Sequence, residues 1–457
     1  MAPGILLVNP PIYDFAAYDF WLKPYGMLSA AGRLRGRADF KLFDYLDRLH
    51  PFSEKQMQLG GTGFQPMKNT ARMTMPWGRG RFYCQKVPSP EPLKPIPRYF
   101  RRFGLPRNIF QDFLAREGPF DFVFIQTTMT YWYKGVEEVI EDIRKARPQA
   151  KIILGGNYVT LCSNHAEKLG GDFLVHGANL GPLWDYLRIN PDPNQPALWD
   201  AYEKLNIGVL KLTEGCPFKC TYCSVPMVYS RFKARPLQHS LEELELLCSL
   251  GVKNIAFYDD ALLFDADKVL VPFLNEVLNR KINVNFHSPN ALNARFITKE
   301  IAELMARAGF KTFYLGFESA SQQWQKRTGS KVFSDELAKA VDHLIVARAS
   351  CPCSRPGRPY HNITAYQILG HPHIEIQQLE DSMHFVNSLG IRGMLADFSP
   401  IPGTPDGEYC RQWVDMDEPL MHNKTAFPII LLGFEESNRL KDLQRKLNRS
   451  LPDSQTH

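Results

Sequence analysis

Short apolar runs alternate with helix-period segments along nearly the whole chain. That alternation restricts the fold more than any other feature of the sequence. Ile5–Val8 is an apolar run stopped by Asn9-Pro10-Pro11. Runs that are apolar at every position and bounded by turn residues suit strands buried on both faces of a parallel sheet. Similar runs follow at Phe40–Asp44, Phe122–Gln126, Lys151–Leu154 and Asp172–Val175, with helical segments at Tyr25–Arg37 and Lys134–Arg147. This predicts an open, doubly wound α/β sheet of Rossmann-like type over residues 1–189. Asn190–Pro196 is rich in Pro and Asn, so 190–205 reads as a linker. A second alternation follows. Its strands read at Ile207–Thr213, Asn254–Tyr258, Asn283–His287, Lys311–Gly316, Ile363–Leu369 and Ile391–Phe398. Its helices read at Ser240–Leu250, Ala266–Asn279, Lys299–Ala308, Ser334–Ala349 and Glu375–Leu389. Six βα units over 206–400 predict a partial (β/α)6 barrel with its site at the strand C-terminal ends. Residues 401–457 read as an extension ending in a charged helix, Glu435–Leu451.

Composition narrows the class. The chain has 457 residues, 44% of them apolar and 22% charged, which excludes a disordered protein. No apolar run reaches the roughly 18 residues of a membrane helix. The opening MAPGILLVNPP has no basic segment before its apolar run, so no secretory signal is expected. Nine cysteines are odd in number and too sparse for a disulfide framework. These features predict a reduced, cytoplasmic protein.

The net charge of +6 is uneven. Between Lys68 and Arg107 stand ten basic residues (Lys68, Arg72, Arg79, Arg81, Lys86, Lys94, Arg98, Arg101, Arg102 and Arg107) against one acid, Glu91. The rest of the chain is therefore slightly acidic. This stretch lies inside a Pro-rich insertion, 51–118, and carries Trp77, Phe82, Tyr83, Tyr99, Phe100 and Phe103. Proline at that density disfavours regular structure. Aromatics beside arginines can stack bases and hold phosphates, which is one reading and would make nucleic acid a partner. The favoured reading is an extended segment that wraps the domain with aromatics buried and arginines solvated. A third places it at the border of the active site, against an acidic group.

The strongest chemical signal is Cys216-Pro217-Phe218-Lys219-Cys220-Thr221-Tyr222-Cys223, in the loop after the first strand of the second half. Three thiolates at this spacing can converge on one metal centre, and thiolates select zinc or iron–sulfur. A structural zinc wants a fourth Cys or His nearby, and the next histidine is His239. The C-x3-C-x2-C pattern, with an aromatic residue before the third cysteine, resembles the radical S-adenosylmethionine (SAM) superfamily. The resemblance implies that Cys216, Cys220 and Cys223 hold a [4Fe-4S] cluster whose open iron chelates SAM. It implies reductive cleavage of SAM to a 5′-deoxyadenosyl radical.

Other segments resemble the same family. Tyr222 fills the aromatic place. Phe257-Tyr258-Asp259-Asp260 is similar to the segment that holds the SAM amino group, with Asp259 and Asp260 as acceptors. A helix N-cap pair is the competing reading there. Gly316-Phe317-Glu318-Ser319 is similar to the family's Gly-x-Glu-Ser, which assigns Glu318 and Ser319 to SAM. Ile368, before the Gly370-His371-Pro372 turn, takes the place that packs near adenine. Tyr366 and His373-Ile374 depart from the family there. Ser399-Pro400-Ile401-Pro402-Gly403-Thr404-Pro405 resembles the turn after the sixth strand in the subgroup with an N-terminal cobalamin-type domain.

The first half resembles that cobalamin-binding domain. Thr127-Thr128-Met129 stands where the family has Ser-x-Leu beside the corrin tail, and Gly155-Gly156 follows at the family's interval. The histidine loop that supplies a lower axial ligand is missing, because Asn9-Pro10-Pro11-Ile12-Tyr13-Asp14 stands in its place. Two readings stand: cobalamin bound without an axial histidine, or a degenerate domain kept as scaffold. Cys351-Pro352-Cys353, with His361, His371 and His373 nearby, is a minor candidate for a second metal. Cys162 and Cys248 read as core. Two-cluster methylthiotransferases need a cysteine set in the first domain, where only Cys84 and Cys162 occur, so that reading is set aside. The combined expectation is a radical SAM enzyme, a methyltransferase by preference. It would take electrons from a flavodoxin- or ferredoxin-type reductant and act on a small-molecule or macromolecular substrate. The alternative is an RNA-binding or RNA-modifying protein with a structural metal.

Overall fold

The computed structural model describes residues 2–58, 75–349 and 362–451. Cys351, Cys353 and His361 lie outside the described residues, as do Lys68 and Arg72 of the basic stretch. The chain divides into two compact units. The first is Met1–Asn206 with Glu245–Gly251 and Asp415–Asn423; the second is Ile207–Leu244, Val252–Val414 and Lys424–His457.

In the first unit, strands β1 (Gly4–Asn9), β2 (Ile12–Asp14), β3 (Asp39–Asp44), β4 (Cys84–Lys86), β5 (Arg101–Phe103), β6 (Phe122–Thr127), β7 (Lys151–Gly156) and β8 (Phe173–Val175) build two sheets. The main one has the order β3-β1-β6-β7-β8 and every pair in it is parallel. Ile5, Leu6, Leu7 and Val8 are fully buried at its centre, each contributing about 1.5–3 kcal/mol by leaving water. The strand order reverses between β1 and β6, and the cleft beyond such a switch point is where open α/β sheets bind ligands.

The basic insertion is more ordered than its prolines predict. β4 and β5 join β2 in a second, antiparallel sheet of order β2-β5-β4. Prolines 88, 90, 92, 95 and 97 all fall between the two strands, in the connection, so none removes a ladder hydrogen bond. Phe82, Phe100 and Phe103 are buried, whereas Tyr99 is exposed. The arginines are not simply solvated. Arg102 is buried and paired fork-to-fork with buried Glu138, at 2.8 and 2.6 Å. Arg107 makes the same paired contact with Asp142, at 2.8 and 2.9 Å. Arg101 donates to the Phe15 carbonyl, and Arg79 lies over the Trp21 ring.

In the second unit, the strands are β9 (Ile207–Leu210), β10 (Thr213–Glu214), β11 (Lys233–Ala234), β12 (Asn254–Phe257), β13 (Asn285–Asn293), β14 (Phe310–Glu318), β15 (Ile363–Leu369) and β16 (Arg392–Asp397). Six of them form a sheet of order β16-β15-β14-β13-β12-β9, with every pair parallel. Phe257, Phe286, Phe310 and Phe313 pack ring on ring in its core, at centroid spacings of 5.2 to 5.8 Å.

Three boundaries differ from the sequence reading. The strand expected over Ile207–Thr213 breaks at Lys211, because the Asp259 carboxylate takes the backbone N–H groups of Leu212 and Thr213; Thr213–Glu214 then pairs antiparallel with β11. The strand expected to end at His287 runs on to Asn293, with a register shift between Ser288 and Leu292 around Pro289, which has no N–H to give. The helix expected from Ala266 starts at Leu270, after Val269 at φ −119° and ψ −69°. The last helix, Phe434–Ser450, lays Leu440 and Leu447 against Leu369, Leu379 and Met383.

Candidate active site

The cysteine loop leaves β10 through Gly215, at φ 75°. A side chain there would put its Cβ 2.6 Å from the Arg231 carbonyl oxygen, so only glycine lets the chain turn under residues 229–231. Cys216, Cys220 and Cys223 follow, all reduced and half-buried. Burial pushes all three thiols up, Cys220 to about 12. The cation of Lys331 acts in the opposite direction on each of them. The three thiols thus lie within electrostatic range of one half-buried ammonium. Burial opposes the Lys331 charge, but Glu318 and the three cysteines outweigh it and hold the ammonium above its ordinary range.

Glu318 ends β14 at φ 65°, a left-handed conformation that costs a non-glycine residue about 1–3 kcal/mol. Its carboxylate lies 3.9 Å from Lys331 Nζ. The Tyr222 hydroxyl lies near both Glu318 and the Cys220 sulfur. The Tyr222 ring stacks on Trp324 at 5.9 Å between centroids. Burial pushes the Glu318 carboxyl up, against the pull of Lys331 and Tyr222.

Asp259 and Asp260 follow β12 and do different work. Asp259 is buried, and its Oδ1 accepts from Leu212 N–H, Thr213 N–H and the Thr213 hydroxyl at 2.6–2.9 Å. It ties the ends of β9 and β12 together, while its Oδ2 has no hydrogen-bond partner. Asp260 faces Lys211 Nζ at 3.8 Å, too long for a hydrogen bond, and its Oδ2 is also without one. Neither caps a helix, since the next helix begins at Leu270; the cap reading is corrected here. Ser319 is fully buried, accepts from the Ser321 N–H at 3.1 Å and serves its own turn. Ile368 lies in β15, 7% exposed. The fold thus gathers the three cysteines, Tyr222, Asp260 and Glu318 within one another's electrostatic range. Lys331 and Lys211, which complete the cluster, were not read from the sequence. Single lysines carry no motif, and their place depends on loop returns invisible in local spacing.

In the first unit, a small cleft opens at the C-terminal ends of β1 and β6. Pro10, Leu22 and Trp132 give it apolar walls; Asn9, Lys23 and Gln126 bring polar groups to it. Thr127, Thr128 and Met129 line it. Gly155 and Gly156 end the neighbouring strand β7 and are not among its lining residues. The Thr127 hydroxyl is spent inside the fold, donating to the Gly155 carbonyl at 3.1 Å. Among the described residues, no histidine lines the cleft.

Residues 210–386 match the Radical SAM superfamily. The second unit carries a radical SAM domain. Among curated relatives, an uncharacterized methyltransferase of Pyrococcus horikoshii is 24% identical over 205 residues, 44% of this chain and 41% of that protein. The threonylcarbamoyladenosine tRNA methylthiotransferase MtaB of Thermotoga maritima is 24% identical over 290 residues, 60% of this chain and 64% of that protein. The chain thus spans about half the length of these relatives. Among solved structures, TsrM of Kitasatospora setae, a radical SAM methyltransferase solved with cobalamin and a [4Fe-4S] cluster bound, superposes with a TM-score of 0.60 at 14% identity. The superposition covers 93% of this chain and 85% of that one. The two chains share their fold, a parallel α/β sheet followed by a partial barrel.

A radical SAM domain implies a [4Fe-4S] cluster and SAM. Among the described residues, no three His, Cys, Asp or Glu side chains are drawn together closely enough to hold a metal ion as they stand. The donor set nevertheless fits a cluster. Three thiols stand on one loop near the half-buried Lys331 cation, with no fourth ligand in the loop, and thiolates favour iron–sulfur centres. The unsatisfied carboxylate oxygen of Asp260 fits the ammonium of an amino acid cofactor.

Proposed function

We propose that this chain is a cobalamin-dependent radical SAM methyltransferase. The observation that carries the reading is the loop of Cys216, Cys220 and Cys223, which follows β10 inside the segment that matches the Radical SAM superfamily. When bound, a reduced cluster supplies the electron that breaks a sulfonium bond of SAM, and cobalamin carries the methyl group. The chain's own residues bind and orient. Cys216, Cys220 and Cys223 are the cluster ligands. Asp260 and Glu318 receive polar groups of SAM, Ile368 packs at its adenine, and the Tyr222 and Trp324 rings keep water from the loop. Thr128 and Met129, which line the switch-point cleft, are the residues that would meet a cobalamin nucleotide tail there. Among the described residues no histidine lines that cleft.

The reading supplies a one-electron reductant of flavodoxin or ferredoxin type and a reduced, cytoplasmic setting. The seven cysteines among the described residues form no disulfide, which supports that setting. No helix is long and apolar enough to cross a membrane among the described residues. The RNA alternative draws less support, because Arg102 and Arg107 of the basic stretch are spent on Glu138 and Asp142. The test is anaerobic purification of wild type and Cys216→Ala, with iron and sulfide assays. Wild type should be brown and carry about four irons per chain, and the variant should lose most of them. Zinc without colour in the wild type overturns the proposal.

A further inference from the structure

The residue between the second and third cysteines is held by a part of the chain nearly two hundred residues away. Thr221 donates its hydroxyl hydrogen to Asp406 Oδ2, and the Asp406 N–H donates back to the Thr221 carbonyl oxygen at 3.1 Å. Asp406 sits at the start of the short helix Pro405–Tyr409, whose N-cap Thr404 accepts from the Gly407 N–H at 3.1 Å. The same Oδ2 receives a second bond, from His371 Nε2 at 3.0 Å. The direction of that bond is fixed by the other ring nitrogen. His371 Nδ1 accepts from the Trp324 indole N–H at 3.2 Å and from the His373 backbone N–H at 3.2 Å. Nδ1 therefore carries no proton and Nε2–H is the donor. Trp324 in turn stacks on Tyr222, the residue after Thr221. The path Thr221–Asp406–His371–Trp324–Tyr222 is thus a closed ring that begins and ends on adjacent residues of the cysteine loop. Trp324, His371 and Asp406 are each 4% exposed or less.

We infer that Asp406 and His371 form a clamp that acts through Thr221 and holds the cysteine loop in its cluster-binding shape. None of the three touches the reacting atoms; they are positioning residues. A hydrogen-bonded pair grips both the hydroxyl and the carbonyl of Thr221, so the loop cannot rotate between Cys220 and Cys223 without breaking both bonds. His371 fixes the carboxylate that does the gripping, in the way an outer-shell partner orients a metal ligand. The inference rests on the proposed cluster.

The test uses the full chain, reconstituted anaerobically with iron and sulfide, in five forms: wild type, Thr221→Val, Thr221→Ser, Asp406→Asn and His371→Phe. Two readouts are taken. One is the half-life of the iron–sulfur absorbance under a chelator, the other the g-values of the reduced cluster by electron paramagnetic resonance. Thr221→Val and Asp406→Asn should lose the cluster about fivefold faster or more, the effect of one lost net hydrogen bond, with shifted g-values. Thr221→Ser keeps the hydroxyl and should keep the wild-type half-life and signal. His371→Phe should fall between. The inference is overturned if Thr221→Val and Asp406→Asn match wild type, or if Thr221→Ser fails as badly as Thr221→Val. A wild type that takes up no cluster overturns the proposed function itself, whereas a stable wild-type cluster indifferent to these variants overturns only the clamp.

Discussion

Gly155 and Gly156 stand side by side at the end of β7, and the structure separates them. Gly156 has φ 126° and ψ −166°, a region open to glycine almost alone. A Cβ added to it would lie 1.9 Å from the Thr127 carbonyl oxygen and 2.9 Å from its carbonyl carbon. The obstacle is backbone of the neighbouring central strand, so it cannot swing aside like a side chain. Gly156→Ala therefore combines backbone strain of about 1–3 kcal/mol with overpacking of about 1–3 kcal/mol. The expected destabilisation is about 4 kcal/mol, or a fall of about 8–16 °C in the Tm of the first unit. A Cβ on Gly155 would meet Val175 Cβ at 3.4 Å, an ordinary contact. Gly155→Ala should therefore cost under about 1 kcal/mol. The assay is thermal and urea unfolding of both variants beside wild type, followed by far-ultraviolet circular dichroism. Equal stability of Gly156→Ala and wild type, or greater damage from Gly155→Ala, would refute the packing argument.

Two further perturbations test the first unit. Arg102→Met removes one half of a buried, fork-to-fork ion pair and leaves Glu138 unmatched; a loss of about 3–5 kcal/mol is expected in urea unfolding, and adding Glu138→Leu should restore much of it. Asp47 has its carboxyl pushed up to about 6, chiefly by burial and against the pull of Lys23. The folded chain therefore keeps a proton on Asp47 at pH values where the unfolded chain has lost it. The stability this gives is full below about pH 4 and is lost as pH rises through about 6. Asp47→Asn should flatten that fall, gaining at most about 3 kcal/mol over wild type at pH 7 and nothing at pH 4. Parallel stability–pH curves for the two proteins would contradict it.

What the sequence revealed was local. The βα period of Ile5–Val8 or Asn254–Phe257 is written in consecutive residues, and the cysteine spacing fits in eight. Both parallel sheets could be read from them, and the three cysteines proposed as cluster ligands stand in one short loop. The contacts that complete the site are long-range. Lys331 meets Glu318 only because the segment after β14 returns over the barrel mouth, and Asp406 reaches Thr221 across 185 residues. No local pattern marks either. Proline density misled at the insertion because it counts residues without locating them. The prolines between Val87 and Arg98 all fall in one connection, and Cys84–Lys86 and Arg101–Phe103 were free to pair. Gly155-Gly156 shows a different limit. A glycine needed for close backbone packing and one needed for ligand approach look identical in sequence.

The most direct test of the central claim is SAM turnover by the anaerobically reconstituted chain, with cobalamin and a low-potential reductant supplied. The account predicts 5′-deoxyadenosine that depends on the cluster and is absent from Cys216→Ala, and S-adenosylhomocysteine that appears only when cobalamin is present. Neither product above the Cys216→Ala background would contradict it.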